Sequence, residues 1–451
     1  MKTAIILGAG VSGLSCALRL SEAGYKVAVV EKENRPGGMS SSFEQKDCIL
    51  DYGPHKIYTQ LPEISQKIKD LLGENILSIK KSSKVRLREK YYDYPIKIKD
   101  ILLKMPLTTS FKCALDMVFK KKIDGSKNYE NYLISKFGES LYRLTFEPYA
   151  RKVWGDPKEL SSSLAKSRIA VSSVWQIIKM LLSKTSADVN AEIFQYPKQG
   201  IRQLSDAMVE RIKASEGKVF FDSKPRKIKV SKDNVKVLIR RNGKDINLVA
   251  DYMISTIPIP ELPVLLDAPK EIIEASKKLK FIPLLIVYLK FDKPRLFPEN
   301  WLFFPEKYVF HRLSEQKGFS ESMCGKSQTV LMAETTREEL FDADTNTIAD
   351  AIRRDLIDAG IVSENDNITD VFVKKLDNAY PHYDLTYEQN LYKILNYLDG
   401  FKNILTTGRQ GLFNYNNMDH CMDMGFKTAD SIIKNQNWPE VRGSFVYTII
   451  D

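Results

Sequence analysis

In KTAIILGAGVSGLSCALRLSEAGYKVAVVE (residues 2–31), a short apolar run leads directly into Gly8-Ala9-Gly10-Val11-Ser12-Gly13. The run reads as a buried parallel strand. Leu14, Leu18 and Leu20 begin an amphipathic helix, which ends at Ala23-Gly24 with glycine where a C-cap belongs. YKVAVV is a second strand, and Glu31 closes it. A GxGxxG alone is a weak signal, but strand, glycines, helix, strand and acid in this order specify a dinucleotide-binding unit. Gly8 permits the tight turn, Gly10 lets a pyrophosphate approach the backbone, and Gly13 lets helix and strand pack closely. The helix N-terminus beyond Ser12 offers free N–H groups to phosphates. Glu31 is placed to accept from ribose hydroxyls.

At 451 residues the chain is expected to hold two or three domains. No apolar stretch approaches the roughly 20 residues of a bilayer span, so no transmembrane segment is expected. The opening also lacks the features of a signal peptide. Cysteines 16, 48, 113, 324 and 421 show no metal-ligand spacing and no disulfide framework. That predicts no metal site and a reducing, cytoplasmic location. The net charge of +11 is spread through IKIKD, FKKKID and SKKLKF. No basic helix with interleaved aromatics appears, so no nucleic-acid partner is expected. A solvated lysine surface comes first and an anionic small-molecule substrate second.

The stretch Glu31-Lys32-Glu33-Asn34-Arg35-Pro36-Gly37-Gly38-Met39-Ser40-Ser41 resembles the second motif of the FAD-containing amine oxidase superfamily. The resemblance implies FAD as cofactor, with contacts from Gly8, Gly10, Ser12, Gly13, Glu31, Lys32, Gly37, Gly38, Met39 and Ser40. It implies an α/β fold with a Rossmann-like FAD-binding domain of the amine-oxidase type and a discontinuous α+β substrate domain. Residues 1–85, 196–265 and 386–451 are the expected cofactor domain. Residues 86–195 form a helical covering region, and 266–385 a mixed strand and helix substrate domain. The helix GIRQLSDAMVERIKASEGK, a hairpin turn at Asn242-Gly243 and a re-entry strand into Thr256-Ile257-Pro258 fit that division.

Five further stretches resemble one branch of the superfamily, UDP-galactopyranose mutase and its relatives. They are Gly53-Pro54-His55 with Lys56-Ile57-Tyr58-Thr59, Tyr149 to Leu160 around Trp154-Gly155, and Phe310-His311-Arg312-Leu313-Ser314-Glu315. Tyr380-Pro381-His382-Tyr383-Asp384 and Gly408-Arg409-Gln410-Gly411 through Asn417-Met418-Asp419 complete the set. The resemblance implies a nucleotide-sugar pyranose/furanose mutase whose reduced flavin N5 is the nucleophile, working in polysaccharide biosynthesis. His55 would lie beside the flavin ring. Arg312 and Arg409 would hold the diphosphate, with Tyr380 and Tyr415 as neutral donors and Trp154 bordering the sugar or nucleotide. Gly408, Arg409, Asn417, Met418 and Asp419 would add to the cofactor site.

The mutases carry a second lid arginine slightly later than Arg168, where this chain reads Ser172-Ser173. That departure keeps open an FAD oxidase or dehydrogenase of the protoporphyrinogen oxidase or amine oxidase type. A non-catalytic escort protein is a third reading, with little use for an intact phosphate fingerprint.

Overall fold

The computed structural model describes residues 1–94, 105–119, 123–168 and 193–447. The region expected to supply the lid, Ser172-Ser173, lies outside them. The first strands are β1 (Thr3–Leu7), β2 (Lys26–Val30), β3 (Ser42–Gln45), β4 (Cys48–Asp51), β5 (Ile76–Lys80), β6 (Ser83–Leu87) and β7 (Lys90–Asp93). After them come β8 (Ile193–Pro197), β9 (Lys218–Phe220), β10 (Ser223–Val230), β11 (Val235–Arg241), β12 (Lys244–Ala250) and β13 (Tyr252–Ser255). The last are β14 (Phe281–Phe291), β15 (Trp301–Phe303), β16 (Arg312–Glu315), β17 (Thr329–Thr335), β18 (Ile368–Pro381) and β19 (Ile404–Thr406). The helices that position the site are α1 (Val11–Glu22), α2 (Glu147–Val153), α3 (Ser162–Arg168), α4 (Gln203–Ala214), α5 (Gly408–Gly411) and α6 (Met418–Ile433).

β1 is the central strand of a five-stranded parallel sheet in the order β19-β13-β1-β2-β9. Its unbroken apolar run follows from cover on both faces. Ile5, Leu7 and Val30 join a cluster with Val235, Val237 and Ile239 of the β10-β11-β12 meander. Ala4, Ile6, Val27 and Val29 join Leu14, Leu18, Met208 and Met422 of α1, α4 and α6. Each such aliphatic side chain, fully buried, contributes about 1.5–3 kcal/mol. The β11-β12 turn has positive φ at Asn242 (49°) and Gly243 (76°), as a two-residue hairpin of this hand requires.

A seven-stranded sheet, β18-β14-β17-β16-β15-β6-β7, carries the second core. All its pairs are antiparallel except β15 with β6. Cys48 and Cys324 form a disulfide that joins β4 to the segment before β17 across 276 residues of chain. The expectation of unpaired cysteines is corrected for these two: pairing partners so far apart in sequence leave no spacing signal. Cys16, Cys113 and Cys421 are free and buried. Among the described residues, no helix is long and apolar enough to cross a membrane.

Candidate functional site

The site begins at the carboxyl end of β1. Gly8 has φ +101°, and a Cβ on Gly13 would lie 2.1 Å from the Gly8 carbonyl oxygen, so α1 packs against backbone there. Gly10 differs, because a Cβ at that position meets nothing within 4 Å. It is also the N-cap of α1, and no side chain satisfies the first N–H groups of the helix. The Gly37 N–H donates to the Ala9 carbonyl at 2.8 Å, and Gly37 bridges to Gly10. A Cβ on Gly38 would sit 3.4 Å from the Gly10 Cα. The two glycine motifs make one backbone cradle with N–H donors aimed outward, which suits a pyrophosphate.

The remaining cofactor candidates surround that cradle. Glu31 is buried, accepting from the Ala9 N–H (2.7 Å) and the Glu33 N–H (2.9 Å). Burial raises its pKa against the pull of those bonds. Lys32 is exposed, and its charge acts on Glu261. Met39 and Ser40 belong to the short turn Gly38–Ser40, with Met39 Sδ 3.0 Å from Gln410 Nε2. Ser12 lies under Gly408, where a Cβ would be 2.6 Å from Ser12 Oγ. Asn417 caps α6, and His420 answers it, accepting from the Asn417 N–H at 3.3 Å. Met418 is buried beside them. In the first turn of α6, Asp419 is 5% exposed, and its Oδ1 has no hydrogen-bond partner. A buried carboxylate oxygen left unpaired is costly, and a ligand hydroxyl would satisfy it. An open Gly10, unsatisfied helix N–H groups and an orphaned acceptor together fit FAD.

The second part of the site is a cluster of side chains against the seven-stranded sheet. The β16/β17 register sets Arg312 opposite Glu334. The guanidinium grips the carboxylate through Nε and through Nη2, the latter 2.7 Å from Oε1. Burial alone would depress the Arg312 pKa, but the Glu334 charge outweighs it and raises the value. The fork expected to face phosphate therefore grips a carboxylate of this chain. Glu334 Oε1 also lies 3.3 Å from where a Cβ on Gly53 would be.

Gly53 opens the loop of His55. The His55 Nδ1–H donates to the Gly53 carbonyl at 2.9 Å, which leaves Nε2 as an acceptor. Burial pushes the imidazole down to about 4, and the guanidinium charges of Arg312 and Arg409 push the same way. Beneath this loop the buried Asp51 carboxylate accepts from Ser42 Oγ (2.7 Å), the Tyr196 hydroxyl (2.5 Å) and the Ile201 N–H (3.2 Å). Its burial raises the pKa to about 6.

Arg409 is partly buried, donating to the carbonyls of Asn416 and Ala379 at 3.1 Å each, and its buried Nε has no partner. No carboxylate pairs with it among the described residues, and burial lowers its pKa. Its guanidinium lies 5.2 Å over the Tyr415 ring, and that of Arg168, at the end of α3, lies 5.6 Å over the same ring. Tyr380 stacks on Tyr415 at 6.4 Å. The Tyr415 hydroxyl donates to the Pro381 carbonyl (2.8 Å), so the donor expected for a substrate is already committed. Trp154, 7% exposed with an unpartnered Nε1, meets Tyr149 edge-on at 5.6 Å. It forms the wall behind Tyr149.

His55, Arg312, Arg409, Arg168, Tyr380 and Tyr415 thus gather in one cluster. Sequence reasoning did not single out Glu334 or Asp51, and it quoted Tyr149 and Thr256 only inside motifs, with no role of their own. A charge ending the apolar run TVLMAE was the available signal for Glu334. Thr256 Oγ1 donates to the Leu7 carbonyl (2.9 Å) under Gly8, a contact that its place at the end of the re-entry strand does not specify.

Comparison with known proteins agrees with this geometry. The chain is 26% identical over 174 residues to a probable UDP-galactopyranose mutase of Klebsiella pneumoniae, covering 37% of this chain and 44% of that one. It is 24% identical over 181 residues to dTDP-fucopyranose mutase of Escherichia coli, covering 37% and 45%. The matches thus span less than half the length of these curated relatives. The crystal structure of a reduced UDP-galactopyranose mutase superposes with a TM-score of 0.85 at 20% identity, over 99% of this chain and 98% of the other. The family model for flavin containing amine oxidoreductases matches residues 11–432. With a match of that length, the chain belongs to the flavin containing amine oxidoreductase family, and its cofactor is FAD.

Proposed function

We propose that this protein is a mutase that interconverts the pyranose and furanose forms of a nucleotide-linked sugar. The observation that carries the reading is Arg409, a partly buried cation with no carboxylate partner among the described residues, sharing the Tyr415 ring with Arg168. A guanidinium with no carboxylate partner among the described residues, and a second guanidinium over the same aromatic face, suit a diphosphate. The alignments with two sugar-nucleotide mutases support the same substrate class. The domain division and the cytoplasmic location belong to the proposal. The location rests on the three free cysteines and no longer on the Cys48–Cys324 pair.

Bound and reduced, FAD supplies an electron pair for attack at a sugar carbon. Arg409 and Arg168 take up the diphosphate charge and hold it as it separates from the sugar. Tyr380 adds a neutral donor from the end of β18. Arg312, tied to Glu334, anchors the cluster, with its remaining N–H groups available to the substrate. His55 stays neutral near pH 7 and sets the loop with an acceptor nitrogen. Tyr149, backed by Trp154, excludes water from one side.

Besides the departure at Ser172-Ser173, an oxidase is favoured by the filling of the Arg312 fork by Glu334. Incubation with UDP-, GDP- and dTDP-hexoses, with and without dithionite, separates the two. The mutase isomerises a sugar only when reduced and makes no hydrogen peroxide. Turnover in air with stoichiometric peroxide gives the oxidase.

A further inference from the structure

The meander β10-β11-β12 has an inner face that buries Ile228, Val235, Val237 and Ile239 against the cofactor sheet. Its outer face is basic. Between Ser223 and Ala250 the sequence holds nine lysines and arginines against two aspartates. The register places Lys224 opposite Arg240 and Lys229 opposite Lys236, and all four are exposed. Like charges directly opposite on neighbouring strands are destabilising. The acids nearby do little to offset them. Arg240–Asp245 is 4.0 Å long and Lys227–Asp267 3.8 Å, and all four side chains are at least half exposed. Val249, 52% exposed, and the partly exposed Leu238 lie among the lysines.

We propose that this outer face docks the protein on an anionic lipid surface. A sheet that carries facing like charges in water gains when an anionic surface neutralises them. Lysines supply point charges suited to a diffuse layer of headgroups, whereas arginine forks suit defined phosphates. The strands bear no aromatic residue, so the stacking platform of a single-stranded nucleic-acid site is missing. Leu238 and Val249 give the face the apolar component that the headgroup boundary accommodates. None of these residues belongs to the cluster, so docking leaves the site free to work.

The test is co-sedimentation of the FAD-loaded full chain with vesicles of phosphatidylcholine alone and of phosphatidylcholine mixed with phosphatidylglycerol. Binding is expected only to the acidic vesicles, and it should fall with salt. Each neutralised lysine should cost about fivefold in partitioning, so the triple variant Lys224→Gln, Lys229→Gln, Lys236→Gln loses roughly a hundredfold. The same variant should melt at a higher temperature, with FAD content and turnover unchanged. Equal binding to neutral vesicles, or undiminished binding of the triple variant, overturns the proposal. Tighter retention on duplex DNA than on acidic vesicles at the same salt overturns it too, in favour of a nucleic-acid partner.

Discussion

Glu334 holds Arg312 through both carboxylate oxygens, and the same Oε1 lies against Gly53, two residues before His55. The cation of the seven-stranded sheet and the loop that follows β4 therefore share one buried acid. Glu334→Gln keeps the shape and removes the charge, leaving a guanidinium without its partner. The expected cost is about 3 kcal/mol in chemical denaturation. Glu334→Leu combined with Arg312→Met should recover most of that stability while activity stays low. A single variant as stable as wild type would show that the pair contributes nothing net.

The two glycines of one motif should fail differently. Gly10→Ala meets no protein atom, so it should fold normally yet hold FAD weakly, and Gly10→Val should hold none. Gly13→Ala forces a Cβ into the Gly8 carbonyl and should lower the melting temperature before any cofactor is added. Flavin absorbance and apoprotein melting read the two effects separately.

Burial holds the His55 imidazole down to about 4, below its ordinary value of about 6.5. Protonation therefore favours the unfolded chain. Its contribution is fully present above pH 6.5 and is lost as pH falls toward 4, by about 3 kcal/mol at most. His55→Asn should flatten that acid limb in denaturation curves measured across pH 4 to 6.5. It should also retain more activity than His55→Ala, because asparagine can still donate to the Gly53 carbonyl. Between neutral and mildly alkaline pH the activity profile should not change.

Arg409→Ala should cut kcat/KM by on the order of 2–4 kcal/mol in transition-state terms while FAD content holds. Arg409→Lys should rescue poorly, since an ammonium cannot reach both the Asn416 and Ala379 carbonyls and still present charge to a substrate. Unchanged kinetics in both variants would assign Arg409 to loop anchoring.

Cys48→Ser opens a link across 276 residues of chain and should cost about 2–4 kcal/mol. The wild type should lose a similar amount in dithiothreitol, and the variant should be insensitive to it.

The cofactor half was legible because its physics is local. Gly8, Gly10, Gly13 and Glu31 lie within one strand-helix-strand unit, and Gly37-Gly38 follows at a short fixed offset. The cluster was legible only as a set of motifs. That Arg312 faces Glu334 depends on the β16/β17 register, and that Arg168 reaches the Tyr415 ring depends on tertiary packing. Neither is encoded in spacing. Arg168 was doubted for its position in the chain, yet it stands beside Arg409. The Tyr415 hydroxyl was read as free because its acceptor, Pro381, lies 34 residues away.

The parallel sheet bears on how the protein is made. Its central strand begins at Thr3, its edge strand β19 ends at Thr406, and the helix that packs on α1 runs to Ile433. A ribosome emits the glycine cradle about 400 residues before the helix that closes it. Throughout that span of synthesis the apolar side of α1 has no α6 to cover it, and that interval is when nascent chains aggregate or recruit chaperones. Flavin loading accordingly follows translation, and messages cut short before α6 yield chains that never turn yellow.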